Sequence, residues 1–519
     1  MDRGSAEAGT RNGGPSGEVV IGLDVGTTAT KAVAFELGTE WRYTALREYP
    51  LTAPQPGWQV QDPGAISTAV VEALTECVAA VGGAPVLAVS VSTAMHGLVG
   101  LDDRREPLTS LITWADARSA DEARGLRASD LATQLYRVSG TPIHPMTPLT
   151  KIMWYSRREP VFSARVRWWA GLKDFVLSVL VGEVVTELSS ASGTAMIDMA
   201  TRDWNPSAVD LAGISLDQLP PILPTTATRG LSPAVAAAVG LPAGLPVVVG
   251  AGDGPLGNVG TGAMTPGVAG LSLGTSGAVR MVVPGPTLDP AGRLFCYALT
   301  DTQWIMGGAV SNGGVVVRWA GEVFGRGLAA ADGRTHDEEL LALAEAVPPG
   351  SDGLLMLPFL LAERAPLWDP DLAGAYLGVR HGHTTGHFVR ATVEGVALQL
   401  STIVDALDRV APVTSVRATG GALRSVLWRR VLAAAIGRPL TVTTGAEGSA
   451  LGVAALGLVG LGRAPDLAAA LGALSPEVPA RPIEVPEVAG AAEVALYKGL
   501  RVSVPGLLAA YDEVARLFS

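Results

Sequence analysis

The chain has 519 residues, of which 48% are hydrophobic and 17% charged, and its formal net charge is −11. This composition predicts a globular protein with a large core and two or three domains, rather than a disordered chain. The acidic balance argues against nucleic acid or an anionic membrane as the main partner, although a local pocket can still bind a small anion.

The cysteines, the N-terminal segment and one apolar run indicate the cellular location of the protein. Cys77 and Cys296 stand far apart in apolar surroundings, which predicts a reducing cytoplasm and excludes a zinc site built on thiolates. The segment 1–17 is polar and glycine-rich, so we expect a disordered tail and not a signal peptide. The apolar run at 450–462 is too short to span a bilayer and predicts a buried helix.

Valine-rich runs that end in glycine alternate with helical patterns along most of the chain. Such runs are typical of buried strands in a mixed sheet, and their alternation with helices predicts the α/β class. The strand runs are EVVIGLDVG, KAVAFEL, VLAVSVSTA, LPVVVGAGDG, VAGLSLGTSG, AVRMVV and VRATGG.

Two stretches are close copies, GLDVGTTATKAVAF at 22–35 and GLSLGTSGAVRMVV at 270–283. Each predicts a strand, a sharp glycine turn and a second strand, and the copies open the two halves of the chain. We therefore predict two domains of like topology that meet around 250–268, with a ligand cleft between them. The copies differ at one chemically important position, where Asp24 in the first is replaced by Ser272 in the second.

The first of these turns has the residue types that bind phosphate. Gly26, Thr27 and Thr28 can direct backbone N–H groups and two hydroxyls at one anion. Lys31 adds positive charge, and Asp24 at the strand end can hold Mg²⁺ directly or through water. An ordinary hairpin turn is the alternative. The chain has no GxxxxGK[ST] pattern, which argues against a P-loop enzyme.

A second candidate for chemistry is Asp253, which follows a valine strand and is flanked by Gly252 and Gly254. Glycines on both sides let a substrate approach the backbone closely. A carboxylate at this point can accept the proton of a hydroxyl that attacks a phosphoryl group. A polar turn residue is the alternative interpretation.

Three further motifs leave alternatives open. His96 follows a strand, where a structural role competes with a functional one. The run HGHTTGH at 381–387 lacks a carboxylate or cysteine that would complete a metal site, and it predicts the start of a helix. The run RATGGALRSVLWRR at 417–430 predicts a strand, a Gly-Gly turn and a helix; the turn would admit a ribose against the backbone, and a plain connection is the alternative.

Taken together, these motifs resemble the FGGY family of carbohydrate kinases, within the superfamily of actin, hexokinase and the heat-shock chaperone ATPases. The resemblance runs in order from about residue 19 to residue 465. The matching motifs are IGLDVGTTATKA, STAMHG, ITWADARS, GAGDGPLGNVGTGA, LSLGTSGAVR, GGAVSNGGVVVRWA, LPFLLAERAPLWDPDLAGAYLGV, HTTGHFVRATVEGVA, TGGALRSVLWRRVLA and EGSALGVAALG.

The resemblance implies two ribonuclease-H-like domains with a nucleotide cleft between them, using ATP and Mg²⁺. We expect a tail over 1–17, an N-terminal domain over 18–255, a C-terminal domain over 256–480 and a helical extension over 481–519. The expected partner is a small sugar or sugar acid, with neither nucleic acid nor membrane. A homodimer stays open.

The resemblance also implies roles for individual residues. Asp253 stands where these kinases keep the base that takes the proton of the sugar hydroxyl, and Asp24 matches the acidic group near Mg²⁺. Ser425 stands where glycerol-type members often have an asparagine for adenine. The positions predicted to bind ATP are Gly26, Thr27, Thr28, Lys31, Gly274, Thr275, Gly314, Arg318, Gly420, Gly421 and Ser425. The positions predicted to contact the sugar are Met95, His96, Trp114, Met146 and Asp253.

Within the family the sequence is most similar to the gluconokinase subgroup, chiefly through SGTPIHPMTPLTKIMWY at 139–155. This similarity implies phosphorylation of D-gluconate to 6-phosphogluconate. The candidates for binding the substrate carboxylate are His96, Lys151, Lys173 and Arg118, and no spacing argument selects among them. The alternatives are a xylulokinase or another polyol or ketose kinase, and more remotely a non-catalytic ATP-driven switch of the same superfamily.

Overall fold

The computed structural model of the chain describes residues 14–329, 333–443, 448–475 and 490–515. Most of the predicted N-terminal tail and the first part of the predicted C-terminal extension therefore lie outside the described residues. The strands in chain order are β1 (Val19–Val25), β2 (Ala29–Glu36), β3 (Arg42–Glu48), β4 (Val60–Gln61), β5 (Val86–Thr93), β6 (Val99–Leu101), β7 (Leu111–Ile112), β8 (Trp168–Ala170), β9 (Thr186–Glu187), β10 (Ile197–Asp198), β11 (Asp203–Trp204), β12 (Ile222–Leu223), β13 (Thr228–Gly230), β14 (Pro246–Gly252), β15 (Val268–Leu273), β16 (Gly277–Val283), β17 (Phe295–Ala298), β18 (Trp304–Val310), β19 (Leu355–Leu357), β20 (Ala375–Leu377), β21 (Ser415–Thr419) and β22 (Leu440–Val442).

The helices are placed between these strands and at the C-terminal end. In chain order they are α1 (Pro63–Val81), α2 (Ala120–Arg127), α3 (Leu131–Ser139), α4 (Pro148–Arg158), α5 (Pro160–Ser163), α6 (Leu172–Val181), α7 (Leu188–Ser192), α8 (Pro206–Ala212), α9 (Pro233–Val239), α10 (Asp253–Gly260), α11 (Gly314–Phe324), α12 (His336–Glu345), α13 (Thr385–Asp408), α14 (Val426–Ile436), α15 (Gly448–Gly460), α16 (Leu467–Leu474) and α17 (Ala491–Ala515).

Two six-stranded sheets form the framework. The first has the order β13-β14-β5-β1-β2-β3, and the second has the order β17-β18-β16-β15-β21-β22. Five adjacent strands follow one pattern in both, because β3-β2-β1-β5-β14 and β18-β16-β15-β21-β22 each contain two antiparallel pairings followed by two parallel ones. The predicted α/β class and the predicted like topology of the two halves are therefore confirmed.

The two copied stretches occupy equivalent places in the two sheets. The first forms the hairpin β1–β2 and the second forms the hairpin β15–β16. In each sheet the first strand of the hairpin is central and is paired on its other side with a parallel strand, β5 or β21. The sequence repeat therefore corresponds to a structural repeat.

Two glycine-rich helices connect the halves. Helix α10 follows β14 of the first sheet and reaches the second sheet at β15, whereas α15 packs on β1 and β5 of the first sheet. The two helices also pack on each other so closely that a Cβ on Gly452 would lie 2.1 Å from the carbonyl oxygen of Leu256. A contact of this kind requires glycine.

One helix among the described residues, α1, is long and apolar enough to cross a bilayer by length and composition alone. In this fold it packs on β2 and β3. Its buried side chains, which include Ile66, Val70, Leu74 and Cys77, belong to the core beneath the first sheet. The run at 450–462 falls largely in α15, which confirms the predicted buried helix.

Candidate active site

The C-terminal end of β1 carries the first predicted metal-binding residue, Asp24. Its Oδ1 accepts a hydrogen bond of 2.7 Å from Ser92 Oγ on the neighbouring strand β5. Burial raises the pKa of Asp24, while the hydrogen bond and the charges of Lys31 and Lys173 oppose the rise. Lys31 is the direct cross-strand partner of Asp24 in the hairpin. This carboxylate is therefore held in place by its neighbours on both sides.

The first glycine turn, residues 26–28, closes the hairpin between β1 and β2. The N–H of Gly26 donates to the carbonyl of Ala29 at 2.9 Å, and Tyr49 Oη donates to the carbonyl of Gly26 at 2.7 Å. The Nε1 of Trp114 donates to Thr27 Oγ1 at 3.0 Å, so the predicted sugar-pocket aromatic touches the phosphate turn. Thr28 is exposed at the tip, where its hydroxyl is open to a ligand.

Asp253 is the first residue of α10, directly after β14. Burial, followed by the nearby charge of Asp24, raises the pKa of Asp253 to about 6, although Arg280 opposes the rise. The Oγ of Ser449, at the start of α15, donates to the backbone carbonyl of Asp253 at 3.1 Å. A carboxylate with this pKa is ionised near neutral pH and is still basic enough to take a proton.

The predicted pair Met95 and His96 lies beside Asp253. A Cβ on Gly252 would lie 2.6 Å from Cγ of Met95, so this methionine packs on the backbone next to the candidate base. His96 has a positive φ of 65°, and its Nδ1 lies 2.8 Å from the carbonyl of Gly193. Burial lowers the pKa of His96 to about 3, which keeps the ring neutral. Met146 is buried in the same apolar cluster as Met95.

The four cations considered for the substrate carboxylate are bound to protein groups. Lys151 Nζ donates to the carbonyls of His96 at 2.6 Å and Thr113 at 2.8 Å. Lys173 Nζ donates to the carbonyls of Val91, Val249 and Ala251.

The other two candidates are similarly engaged. Arg118 makes two hydrogen bonds to Asp116, at 2.8 and 2.9 Å, and stacks on Trp58. The ring of His96 is neutral. None of the four therefore offers a free cationic group.

The second glycine turn, residues 274–276, meets the start of α11. The N–H of Gly314 donates to the carbonyl of Gly274 at 2.8 Å, and the N–H of Val315 donates to that of Thr275 at 3.2 Å. A Cβ on Gly420, whose φ is 120°, would lie 2.1 Å from the carbonyl oxygen of Leu273. The structure thus brings Gly274, Thr275, Gly314 and Gly420 together, with Gly421 adjacent.

Two predicted nucleotide residues lie at the edge of this group. Arg318 is exposed on α11 one turn beyond Gly314. Ser425 is the N-cap of α14, where its Oγ accepts from the N–H of Trp428 at 3.5 Å. The histidine run at 381–387 spans the start of α13, which begins at Thr385, and the predicted helix start is confirmed. No cluster of three metal-ligating side chains occurs within the described ranges.

Two arginines near the candidate site were missed by the sequence analysis. Arg280 on β16 lies beside Gly254, because a Cβ on that glycine would be 3.3 Å from both Nε and Nη2 of the guanidinium. Arg364 lies over the ring of Trp114 at 4.5 Å, and burial lowers its pKa to about 10. The only sequence signal for Arg280 was a charged residue inside the apolar strand AVRMVV.

Two sheets of like topology have a glycine turn at the tip of a hairpin, and a half-buried aspartate begins the helix that joins them. This is the arrangement that the sequence resemblance implies. The model of the FGGY family of carbohydrate kinases, N-terminal domain, matches residues 19–260, and the C-terminal domain model matches residues 269–461. The chain belongs to this family and is a carbohydrate kinase.

Individual members of the family are similar to this chain over most of its length. The chain is 37% identical to a gluconokinase from Bacillus subtilis over 450 residues, covering 86% of this chain and 88% of that one. A gluconate kinase and a ligand-bound xylulose kinase, both from Lactobacillus acidophilus, each match its structure with a TM-score of 0.88 and 30% identity, over 97% of this chain and 100% of theirs.

Proposed function

We infer that this carbohydrate kinase phosphorylates D-gluconate, with ATP as donor and 6-phospho-D-gluconate and ADP as products. The observation that carries the mechanism is Asp253, a half-buried carboxylate that lies beside Asp24 and next to the backbone on which Met95 packs, and whose pKa is raised to about 6. The identity of 37% to a gluconokinase supports the choice of acceptor.

Asp253 acts as the general base. It orients the terminal hydroxyl of the acceptor and takes its proton as the oxygen attacks the γ-phosphorus in line with the departing ADP. Met95 and Trp114 pack against the carbon chain, and the neutral ring of His96 provides a hydrogen-bonding Nε2. The protein's main contribution is to position the two reactants.

The two glycine turns hold the phosphates. Backbone N–H groups and the hydroxyls of Thr27, Thr28 and Thr275 face the charge that is spread over the transferred group. Gly314 and Arg318 on α11, with Gly420, Gly421 and Ser425, form the adenosine side of the site. Closure of the two halves excludes water that would otherwise be phosphorylated.

The residues present fit a magnesium ion. Mg²⁺ is usually held by one or two carboxylates together with substrate phosphates and water, and Asp24 would supply the carboxylate. When bound there, the ion would neutralise charge on the β- and γ-phosphates. Ser92 keeps the Asp24 carboxylate in place.

The substrate is tested by coupled release of ADP with gluconate, xylulose, glycerol, ribulose and fuculose as acceptors. We expect gluconate to give the highest kcat/KM. Turnover of xylulose far above that of gluconate would contradict the acceptor and support the xylulokinase alternative, while leaving the mechanism intact. No ADP release with any acceptor would favour the non-catalytic switch.

The base is tested by Asp253→Asn. We expect kcat to fall by roughly 10²–10⁴-fold or more, because the amide cannot accept the proton, while the melting temperature is retained. Asp103→Asn is a matched control, since the Asp103 side chain is 89% exposed and its ion-pair partner, at 4.0 Å, is Arg167 rather than a group of the candidate site. Near-normal turnover by the Asp253 variant would contradict this assignment.

The cellular setting is part of the same proposal. Cys77 and Cys296 are buried free thiols, which suits a cytoplasmic enzyme. A small-molecule acceptor is the expected partner of this site, and a homodimer remains open to measurement by light scattering.

A further inference from the structure

On one face of the second sheet, the long side chain of Arg280 lies between two glycines of the neighbouring strands. Arg280 on β16 is paired with Gly270 on β15 and with Gly307 on β18. A Cβ on Gly307 would lie 2.8 Å from Cα of Arg280 and 3.0 Å from its Cγ. Two flanking glycines thus leave room for the arginine to extend across the sheet toward Gly254 and α10.

The guanidinium of Arg280 is poorly satisfied by the protein. Its Nη1 donates a long hydrogen bond of 3.4 Å to Ser272 Oγ, and its buried Nε has no partner among the described residues. A buried donor left unpaired costs about 1–3 kcal/mol, so such groups normally mark a missing ligand or water. Ser272 stands where the first copy has Asp24, so the carboxylate whose charge acts on this arginine is that of Asp253.

A second unsatisfied donor lies on the same face of the sheet. Phe295 on β17 is opposite Gly307, so Tyr297, two residues further along, points to the side on which Arg280 lies. The Tyr297 hydroxyl is buried and has no hydrogen-bond partner among the described residues. Its ring stacks on Phe295 with a centroid distance of 4.1 Å and meets the ring of His96 edge-on at 5.7 Å.

The other cations near the cleft have fewer donors to offer. Lys151, Lys173 and Arg118 are bonded to protein groups as described above. Arg364 uses Nε for Ser311 Oγ at 3.2 Å and Nη2 for the carbonyl of Val310 at 2.9 Å. Among the cations compared, Arg280 therefore has the buried donor without a partner in the described part of the chain, and the unpaired Tyr297 hydroxyl lies on the same face of the sheet.

We propose that Arg280 and Tyr297 form the subsite that binds the carboxylate of a sugar-acid substrate. A guanidinium can bind a carboxylate through two parallel N–H···O bonds, and a phenol adds a third donor. The proposal rests on the proposed function, which it deepens by naming the groups that distinguish an acid from a neutral polyol of the same length.

The test uses a matched pair of ligands, D-gluconate and D-glucitol, which differ only in the carboxylate. Measured quantities are kcat and KM for gluconate and the inhibition constant of glucitol against it. For Arg280→Gln we expect KM for gluconate to rise about 10–100-fold, and for Tyr297→Phe about 3–10-fold, as expected for lost hydrogen bonds to a charged group. The inhibition constant of glucitol should change less than about twofold.

Arg280→Lys keeps the charge but not the paired donors, so its KM should fall between those of wild type and Arg280→Gln. Arg229→Gln is the charge-matched control. Arg229 lies on β13, at the edge of the first sheet, and forms an ion pair with Glu183. Thermal melting establishes whether each variant is folded. If the Arg280 variants do not fold, Tyr297→Phe still tests the subsite, because it removes only one oxygen atom.

Three outcomes would overturn the subsite. They are an unchanged KM for gluconate, an equal weakening of gluconate and glucitol, or a loss of kcat at constant KM, which would place Arg280 on the transferred phosphoryl group. Failure of the proposed function looks different, because wild-type protein would then release no ADP with gluconate. In that case the subsite stands only if sugar acids still inhibit turnover of the true acceptor more strongly than their neutral polyols do.

Discussion

The two half-buried aspartates of the site have a buried lysine near them. Asp24 and Asp253 lie near Lys173, whose ammonium group donates to backbone carbonyls at the ends of β5 and β14. Burial lowers the pKa of Lys173 to about 8, against the opposing charges of Glu187 and Asp174. The lysine therefore stabilises β14, which leads directly into Asp253, and β5, which is paired with the strand that carries Asp24.

The raised pKa of Asp253 has a consequence for the pH profile. The base is active when ionised, so kcat/KM should be level above about pH 6 and should fall about tenfold per pH unit below it. The measurement is kcat/KM for gluconate from pH 5 to pH 8, with the coupling enzymes in excess. A profile that stays level down to pH 5 would show that the base keeps the ordinary pKa of an aspartate, about 4.

Single residues were predictable where local sequence determines their position. Asp24, Thr27 and Asp253 could be proposed from the sequence because each stands within two residues of a glycine at the end of a valine strand. Arg280 and Tyr297 were not found, because their place depends on the register of three strands that are separated in sequence. No local pattern marks such a contact.

The glycines of α10 and α15 permit a close helix contact. Gly452→Ala would place a methyl group 2.1 Å from the carbonyl oxygen of Leu256, so the helices must separate. We expect the melting temperature to fall, because overpacking costs about 1–3 kcal/mol and outweighs the gain of up to about 1 kcal/mol in helix propensity.

Gly472→Ala is the matched control for that substitution. Gly472 also lies within a helix, α16, but nothing lies within 4 Å of the position that its Cβ would take. This variant should melt at the same temperature as wild type or higher. Stabilisation by both substitutions in thermal melts would contradict the tight packing of α10 on α15.

Gly22 and Gly270, which are equivalent in the two copies of the sequence repeat, are each needed for close packing against a helix. A Cβ on Gly22 would lie 2.2 Å from the carbonyl oxygen of Ala450 in α15, and a Cβ on Gly270 would lie 2.2 Å from Oδ1 of Asn258 in α10. The hairpin of the first sheet therefore packs on α15, which follows the last strand of the second sheet in the chain. The hairpin of the second sheet packs on α10, which follows β14 of the first sheet. The repeat predicted the two hairpins, but not this exchange of helices, which depends on long-range packing.

The exchange makes each half depend on the other. Helix α15 belongs to the C-terminal half of the chain but packs on β1 and β5 of the first sheet. The fragment 1–262 expressed alone should therefore bind a hydrophobic dye and aggregate, whereas co-expression with 263–519 should restore a soluble complex. A monomeric fragment 1–262 that does not bind the dye would contradict this dependence.

The placement of Asp253 on α10 ties chemistry to the relative orientation of the halves. The helix that begins with the base also touches the second sheet, so a rotation of one half against the other turns the carboxylate with it. The base would then be oriented for proton transfer only in the closed state. This requirement would suppress hydrolysis of ATP when no sugar is bound. We expect ATP hydrolysis without sugar to be far slower than phosphorylation of the acceptor, and equal rates would contradict this coupling.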